Sequence, residues 1–260
     1  MLPDVLGAGT TYAWFMLLAV TTASATAFVC ARRVGAPRNS LFAFFTFCAV
    51  CALAGAKVYA IVERAGFLYS IRTEISTGFR YPGALLMLAI ALPIGQRIWL
   101  RRIPLLALCD AIAPAIAIGV ATLRIGCFLV GCCYGQICHL PWGVKFPSFS
   151  PAWKQHVAMG LLSEGTSHSL PVHALQLYFC LLAIAVALFL IWRFPRKAFD
   201  GELILLYLTL HESGKFSLEF LRGRYDPYLQ LASLVVAVSG AALLVRTWVV
   251  WQGGRSGEVV

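Results

Sequence analysis

The run Leu123-Arg124-Ile125-Gly126-Cys127-Phe128-Leu129-Val130-Gly131-Cys132-Cys133-Tyr134-Gly135 sets an arginine and a glycine-cysteine cluster at the end of an apolar stretch. An ionisable group at membrane depth needs a specific partner to offset its desolvation, which makes it a functional candidate by default. For a guanidinium that partner is an anion. Phosphate suits it well, because the planar donor fork meets two oxygens at once, whereas lysine acts as a point charge. Lys57, His173, Lys215, Glu219, Arg222 and Arg224 fall near the ends of other apolar stretches or inside them. Several cations converging on one half of a helical bundle make a poor core without an anionic ligand, and lipid phosphate meets that need. Snorkelling, and internal pairs such as Lys215 with Glu219 at i,i+4 spacing, are the alternative use of the same residues.

These residues can meet only if something positions them in a membrane, and the composition supplies it. Hydrophobic residues make up 60% of the chain and charged residues 12%, with a mean hydropathy of +0.80. A soluble domain carries about 25% charged residues. Crossing the hydrocarbon layer takes roughly 20 apolar residues per helix. The stretches 12–31, 41–62, 82–100, 104–121, 172–192, 201–220 and 228–251 meet or approach that length, so the expected fold is all-α and polytopic, with about seven transmembrane helices. Pro104, Pro114 and Gly119 interrupt the fourth and Arg124 ends it, which predicts a broken or partly re-entrant segment, tolerated where backbone lines an enclosed cavity. Asp4 stands where a signal peptide would carry basic residues, and Arg32-Arg33 follow the first apolar run, so that run reads as the first span. Residues 1–260 read as a single transmembrane domain. Within it the longest connection, 126–171, reads as an extracytoplasmic loop or cap, and its Trp142 and Phe146 suit an interfacial position.

Charge orients the bundle. Arg32, Arg33 and Arg38, then Arg97, Arg101 and Arg102, then Arg193, Arg196 and Lys197, and finally Arg246 and Arg255 all fall on one side, which the positive-inside rule makes cytoplasmic. The N-terminus is then outside and the C-terminus inside. The other side carries a mixed set: Glu63, Arg64, Arg72, Glu74, Arg80, Lys145, Lys154, Glu164 and Asp226. A formal net charge of +10 needs no nucleic acid to explain it, since anionic membrane lipid is the nearer partner.

Of the nine cysteines, Cys30, Cys48, Cys51, Cys109 and Cys180 are dispersed in apolar stretches and read as small hydrophobes. Cys127, Cys132, Cys133 and Cys138, with His139 directly after, are clustered. Zinc, a disulfide in an oxidising compartment, and plain packing all remain open. The spacing lacks the paired C-x-x-C pattern that makes zinc persuasive, so no metal or other cofactor is assigned.

Arg124-Ile125-Gly126 with Phe128, Gly131 and Gly135, then Leu140-Pro141-Trp142-Gly143-Val144 with Phe146-Pro147, resemble the signature segment of the prolipoprotein diacylglyceryl transferase family. Pro171-Val172-His173-Ala174-Leu175-Gln176-Leu177-Tyr178 resembles a second segment of that family, and Phe216-Ser217-Leu218-Glu219-Phe220-Leu221-Arg222 a third. Asp110, Pro114, Leu53, Gly55 and Tyr12 also fall where the family has similar residues. The resemblance implies a bacterial cytoplasmic (inner) membrane enzyme that moves the diacylglyceryl group of phosphatidylglycerol to the cysteine thiol of a lipoprotein precursor, recognised with its signal peptide. It implies Arg124 as the contact to the departing phosphate, supported by Lys215 and Arg222 with Glu219 holding one of them, and His173 as base or hydrogen-bond partner. Tyr12, Lys57, Gly131, Gly135, Gln176, Tyr178 and Arg222 would bind substrate.

The chain departs from that pattern where the chemistry is done. Arg80-Tyr81-Pro82-Gly83-Ala84 replaces a serine-phenylalanine-histidine-glycine-glycine run, so the histidine is absent. Cys127, Val130 and Cys132 stand where the family has asparagine, asparagine and glutamate, and Lys57 and Lys215 where it has arginine. Three readings follow: the same reaction with His173 or His211 replacing the missing group; a related membrane enzyme using another acceptor through Cys132 or Cys133; or a noncatalytic lipid-binding protein on the same fold.

Overall fold

A computed structural model describes residues 8–64, 81–223 and 227–256. In hydrocarbon each backbone group must be satisfied within its own segment, so apolar runs of this length become helices. Among the described residues the α-helices are α1 (Ala8–Arg33), α2 (Arg38–Arg64), α3 (Tyr81–Trp99), α4 (Leu105–Val130), α5 (Pro151–Ala158), α6 (Leu175–Arg193), α7 (Glu202–Glu219) and α8 (Pro227–Ser256). The protein is an all-α, polytopic membrane protein. Stretches of 22 to 26 residues in α1, α2, α4, α6 and α8 are long and apolar enough to cross. The other two expected spans are also helical, but α3 supplies only the shorter apolar segment Leu86–Trp99, and α7 carries Glu202, Glu212, Lys215 and Glu219. Arg72, Glu74, Arg80, Arg224 and Asp226 lie outside the described residues.

The expected interruption of the fourth segment does not occur: α4 is continuous with Pro114 inside it. Proline denies a hydrogen bond to the carbonyl four residues earlier, yet neighbouring helices absorb that loss in a membrane bundle. Consistent with that support, half of α4's apolar window is buried, against 17% in α1 and α8.

The chain divides into two compact units, residues 1–27 with 109–260, and residues 28–108. In the first, α1 and α4 approach through small residues. A Cβ on Gly126 would stand 2.4 Å from that of Phe15, one on Gly119 would stand 3.1 Å from that of Ala23, and the Thr22 and Thr122 hydroxyls lie 3.3 Å apart. Without a hydrophobic driving force in lipid, such close approach is what holds helices together. Gly214 of α7 gives way to Leu182 of α6 in the same manner. In the second unit, α2 and α3 cross where Gly55 meets Gly83, each leaving no room for a Cβ beside the other's carbonyl. Pro82, at the position of the family's histidine, falls in the first turn of α3.

The 126–171 connection is more ordered than a surface loop. Phe146, Ala152 and Val172 form a buried cluster joined by Phe128, Tyr134 and Val144. Val144 and Val172 exchange backbone hydrogen bonds of 2.9 and 3.0 Å. Ser150 caps α5 by accepting from the Trp153 amide, and the Trp153 indole donates to Thr166.

Candidate functional site

Gly131 adopts φ 77° just after the last residue of α4. The Cys132 amide donates to the Cys127 carbonyl at 3.1 Å and the Gly131 amide to that of Phe128 at 3.1 Å. This is the paired 6→1 and 5→2 ending that satisfies a helix's last carbonyls. The turn folds the chain back on itself, so the sulfurs of Cys127, Cys132 and Cys133 all lie within 4.8 Å of one another. Cys138 and His139 take no part in that cluster. Cys133 is exposed and holds φ 59°, a left-handed conformation that is costly for a side chain with a Cβ and concentrates at functional positions. Hydrogen bonds from Cys127 and Cys132 pull the Cys133 thiol far below the ordinary thiol range; loss of solvation opposes this, and the charges of Arg124 and Arg222 reinforce it. The Cys132 thiol is pushed far up, by its hydrogen bonds to Cys127 and Cys133 and then by burial.

Arg124 leaves α4 one turn earlier. Its guanidinium carbon lies 4.5 Å from the centroid of the Phe179 ring on α6, a cation–π arrangement that supports charge without neutralising it. Among the described residues no carboxylate lies in ion-pair range of Arg124. Tyr12 of α1 is within electrostatic reach of Arg124 and of all three thiols.

Backbone hydrogen bonds bring the three motif segments to one place. The Gly135 amide donates to the His173 carbonyl at 2.9 Å, His173 returns a bond to Gln136 at 3.0 Å, and the Gln136 amide reaches the Leu221 carbonyl at 2.8 Å. A Cβ on Gly135 would lie 2.7 Å from that Leu221 oxygen and 2.8 Å from the His173 Cβ, so glycine is required there. A Cβ on Gly131 would meet the Phe146 ring at 2.8 Å. Gln176 is fully buried. Its Nε2 donates to the Cys132 carbonyl at 2.6 Å, while its Oε1 has no partner among the described residues, a costly state for a buried acceptor. His173 Nδ1 lies 3.3 Å from the Tyr178 hydroxyl. Buried Glu219 grips Arg222 through both carboxylate oxygens, with Nη2 at 2.8 Å and Nε on the other oxygen.

Two predicted cations remain, Lys215 and Lys57. Lys215 pairs with Glu212 at 3.1 Å, so of the two cations that Glu219 could hold it holds Arg222. Lys57 lies on α2, in the second unit. Glu212, which nothing in the sequence singled out, also lies 3.2 Å from Nδ1 of His211. That imidazole stacks on Tyr207 at 5.0 Å, and its Nε2 is buried without a partner among the described residues.

The cap holds a cavity of about 470 Å³ lined by Lys145, Leu162, Thr166, Ser167, His168 and Pro171 among others. None of the predicted site residues lines it. Beside the thiol turn, Tyr134 donates to Gln155, and burial raises its phenol to about 12. Burial lowers the His156 imidazole, whose Nδ1 accepts the Leu170 amide at 3.2 Å.

The sequence model of the prolipoprotein diacylglyceryl transferase family matches residues 7–247. A phosphatidylglycerol–prolipoprotein diacylglyceryl transferase of Clostridium tetani is 29% identical over 181 residues, which is 67% of this chain and 64% of that protein. A second such transferase, of Clostridium perfringens, is 29% identical over 67% of this chain and 62% of its own length. One from Burkholderia mallei is 28% identical over 228 residues, 78% of this chain and 75% of the relative. The chain thus spans less than two thirds of the two clostridial relatives it matches.

Proposed function

Because the chain belongs to the prolipoprotein diacylglyceryl transferase family, we propose that it transfers the diacylglyceryl group of phosphatidylglycerol to the cysteine thiol of a lipoprotein precursor. The observation that carries this reading is Arg124, half-buried on an aromatic face with no carboxylate to balance it among the described residues. In the proposed step the substrate sulfur attacks the glycerol carbon of the lipid and glycerol phosphate departs. Arg124 meets the charge growing on that phosphate, where a preorganised donor contributes most. Arg222, aimed by Glu219, adds a second guanidinium. His173, with Tyr178 behind it, is the base that raises the thiolate fraction of the substrate cysteine. Gln176 Oε1 accepts from the peptide, Tyr12 contacts the head group, and Gly131 and Gly135 let backbone approach closely. The proposed enzyme is multi-pass in the bacterial inner membrane, N-terminus outside, with 126–171 as an extracytoplasmic cap over the signal peptide.

A second reading is supported by Cys133, which is exposed and favoured as thiolate: the same lipid site serving another acceptor, with Cys133 or Cys132 as nucleophile. Proteoliposomes holding labelled phosphatidylglycerol and a lipoprotein-signal peptide separate the two. Labelled peptide cysteine, together with rescue of a strain depleted of its own transferase, supports the first. Label on the protein's own Cys133 and none on peptide overturns it in favour of the second.

A further inference from the structure

The turn that ends α4 does more than satisfy carbonyls. It gathers sulfurs that the spacing C-x4-C-C would leave apart, and the three free thiols meet within 4.8 Å. We infer that Cys127, Cys132 and Cys133 form a binding site for a thiophilic divalent cation, zinc being the case to test, with one coordination position left open to the thiol of the incoming peptide. The role of the open position rests on the transfer reading above; the binding site does not.

Four features support it. Zinc holds thiolates at about 2.3 Å in a tetrahedron, which asks for sulfurs about 3.8 Å apart, a spacing that side-chain rotation within this cluster can supply. Three thiolates around a divalent ion leave one net negative charge, and Arg124 and Arg222 both lie within electrostatic reach of Cys133. The backbone of a ligand is itself held, since Gln176 donates to the Cys132 carbonyl, the kind of outer support that fixes metal ligands. A catalytic zinc keeps three protein ligands and an open fourth position, and Cys133 is on the exposed side of the trio.

The chemistry answers the departure at Pro82. A thiol bound to such an ion loses its proton outright, which lightens the task that the transfer reading gives to His173. The peptide thiol would release that proton to water on binding. The sulfur's electron pair then forms the sulfur–carbon bond to the lipid glycerol as the carbon–oxygen bond to phosphate breaks, and that second pair leaves on glycerol phosphate. No oxidant or reductant is required.

The full chain in nanodiscs, stripped with chelator and then supplied with zinc or cobalt, provides the test. One metal per chain is expected. The cobalt form should show the intense near-ultraviolet thiolate band and the visible bands of a tetrahedral site, and the visible bands should shift when a cysteine peptide is added but not its serine counterpart. Cys132→Ser with Cys133→Ser should weaken zinc binding at least 100-fold, while Cys138→Ser should leave it unchanged. The wild-type cobalt spectrum stands without any variant. Absence of stoichiometric metal, a disulfide within the trio in freshly isolated protein, or a spectrum indifferent to the peptide thiol would overturn the inference. A metal site that takes the thiol while no lipid is transferred would instead defeat the transfer reading and leave the site standing.

Discussion

Helix α4 carries charge towards both of its ends, Asp110 and Arg124, and the two ends treat it in opposite ways. At the start of α4, Asp110 is fully buried. It accepts Lys197 at 2.8 Å and the amides of Gly201, Leu203 and Ile204 at 2.9, 2.9 and 3.1 Å, so a side chain of one helix caps the N-terminus of another. Arg193 closes on Glu202 at 2.7 Å. Burial pulls the Lys197 amine down, but Asp110 and Asp200 outweigh it and hold it above the ordinary value. At the far end of the same α4, among the described residues, Arg124 has an aromatic ring and no carboxylate, and Gln176 carries an acceptor with nothing to accept. Charge matched within the protein builds scaffold. Charge left unmatched at the cost of desolvation is kept for something that arrives.

Removing each unmatched or matched group should therefore break different properties. Arg124→Ala should cut diacylglyceryl transfer in proteoliposomes about 1,000-fold with no loss of thermal stability, and Arg124→Lys should recover only part because the planar fork is gone. An Arg124→Ala protein that transfers at near wild-type rate would erase the contrast between the ends. Asp110→Ala should do the reverse: lose about 3–5 kcal/mol in detergent unfolding, since it strands the amides of Gly201, Leu203 and Ile204 and leaves Lys197 only Asp200, while the fraction that stays folded keeps its specific activity. Glu219→Gln sits between the two. It loosens the aim of Arg222, so transfer should fall about tenfold, seen in KM for lipid more than in kcat.

The smallest effect is expected in the cap. His156 has its folded pKa depressed below 6.5, so its contribution is complete above that value and is lost as pH falls through it toward the folded pKa. The protection factor of the Leu170 amide, its exchange rate relative to that of an unstructured amide at the same pH, should fall between pH 7.5 and pH 5.5, and His156→Gln should flatten that dependence.

Much of this was legible in the order of residues because it depends on local composition. Apolar length gave the helices, and Arg124, Gly131, Gly135, Gln176 and Arg222 stood out by type and position. What escaped reading depends on contacts across the chain. Pro114 signalled a break in α4, but packing of neighbouring helices against it outweighs one missing hydrogen bond. Asp110 lies 91 to 94 residues from the amides that it caps, and no local pattern announces such a cap. Lys215 had two carboxylates within helical reach, and only the competing claim of Arg222 on Glu219 decides for Glu212. The cysteine cluster was legible as Cys127, Cys132, Cys133 and Cys138 with His139, but that the first three meet depends on the left-handed turn at Gly131.

Arg124 resting on the Phe179 ring has a last implication. A guanidinium whose carbon stands 4.5 Å from a benzene centroid has one side closed by that ring, and its N–H donors, fixed in one plane, offer a bracket and not the all-round charge of a bead. Tetrahedral oxyanions can set two corners against parallel donors, whereas a spherical halide must share a single atom between them, so the position favours the shape of a phosphate.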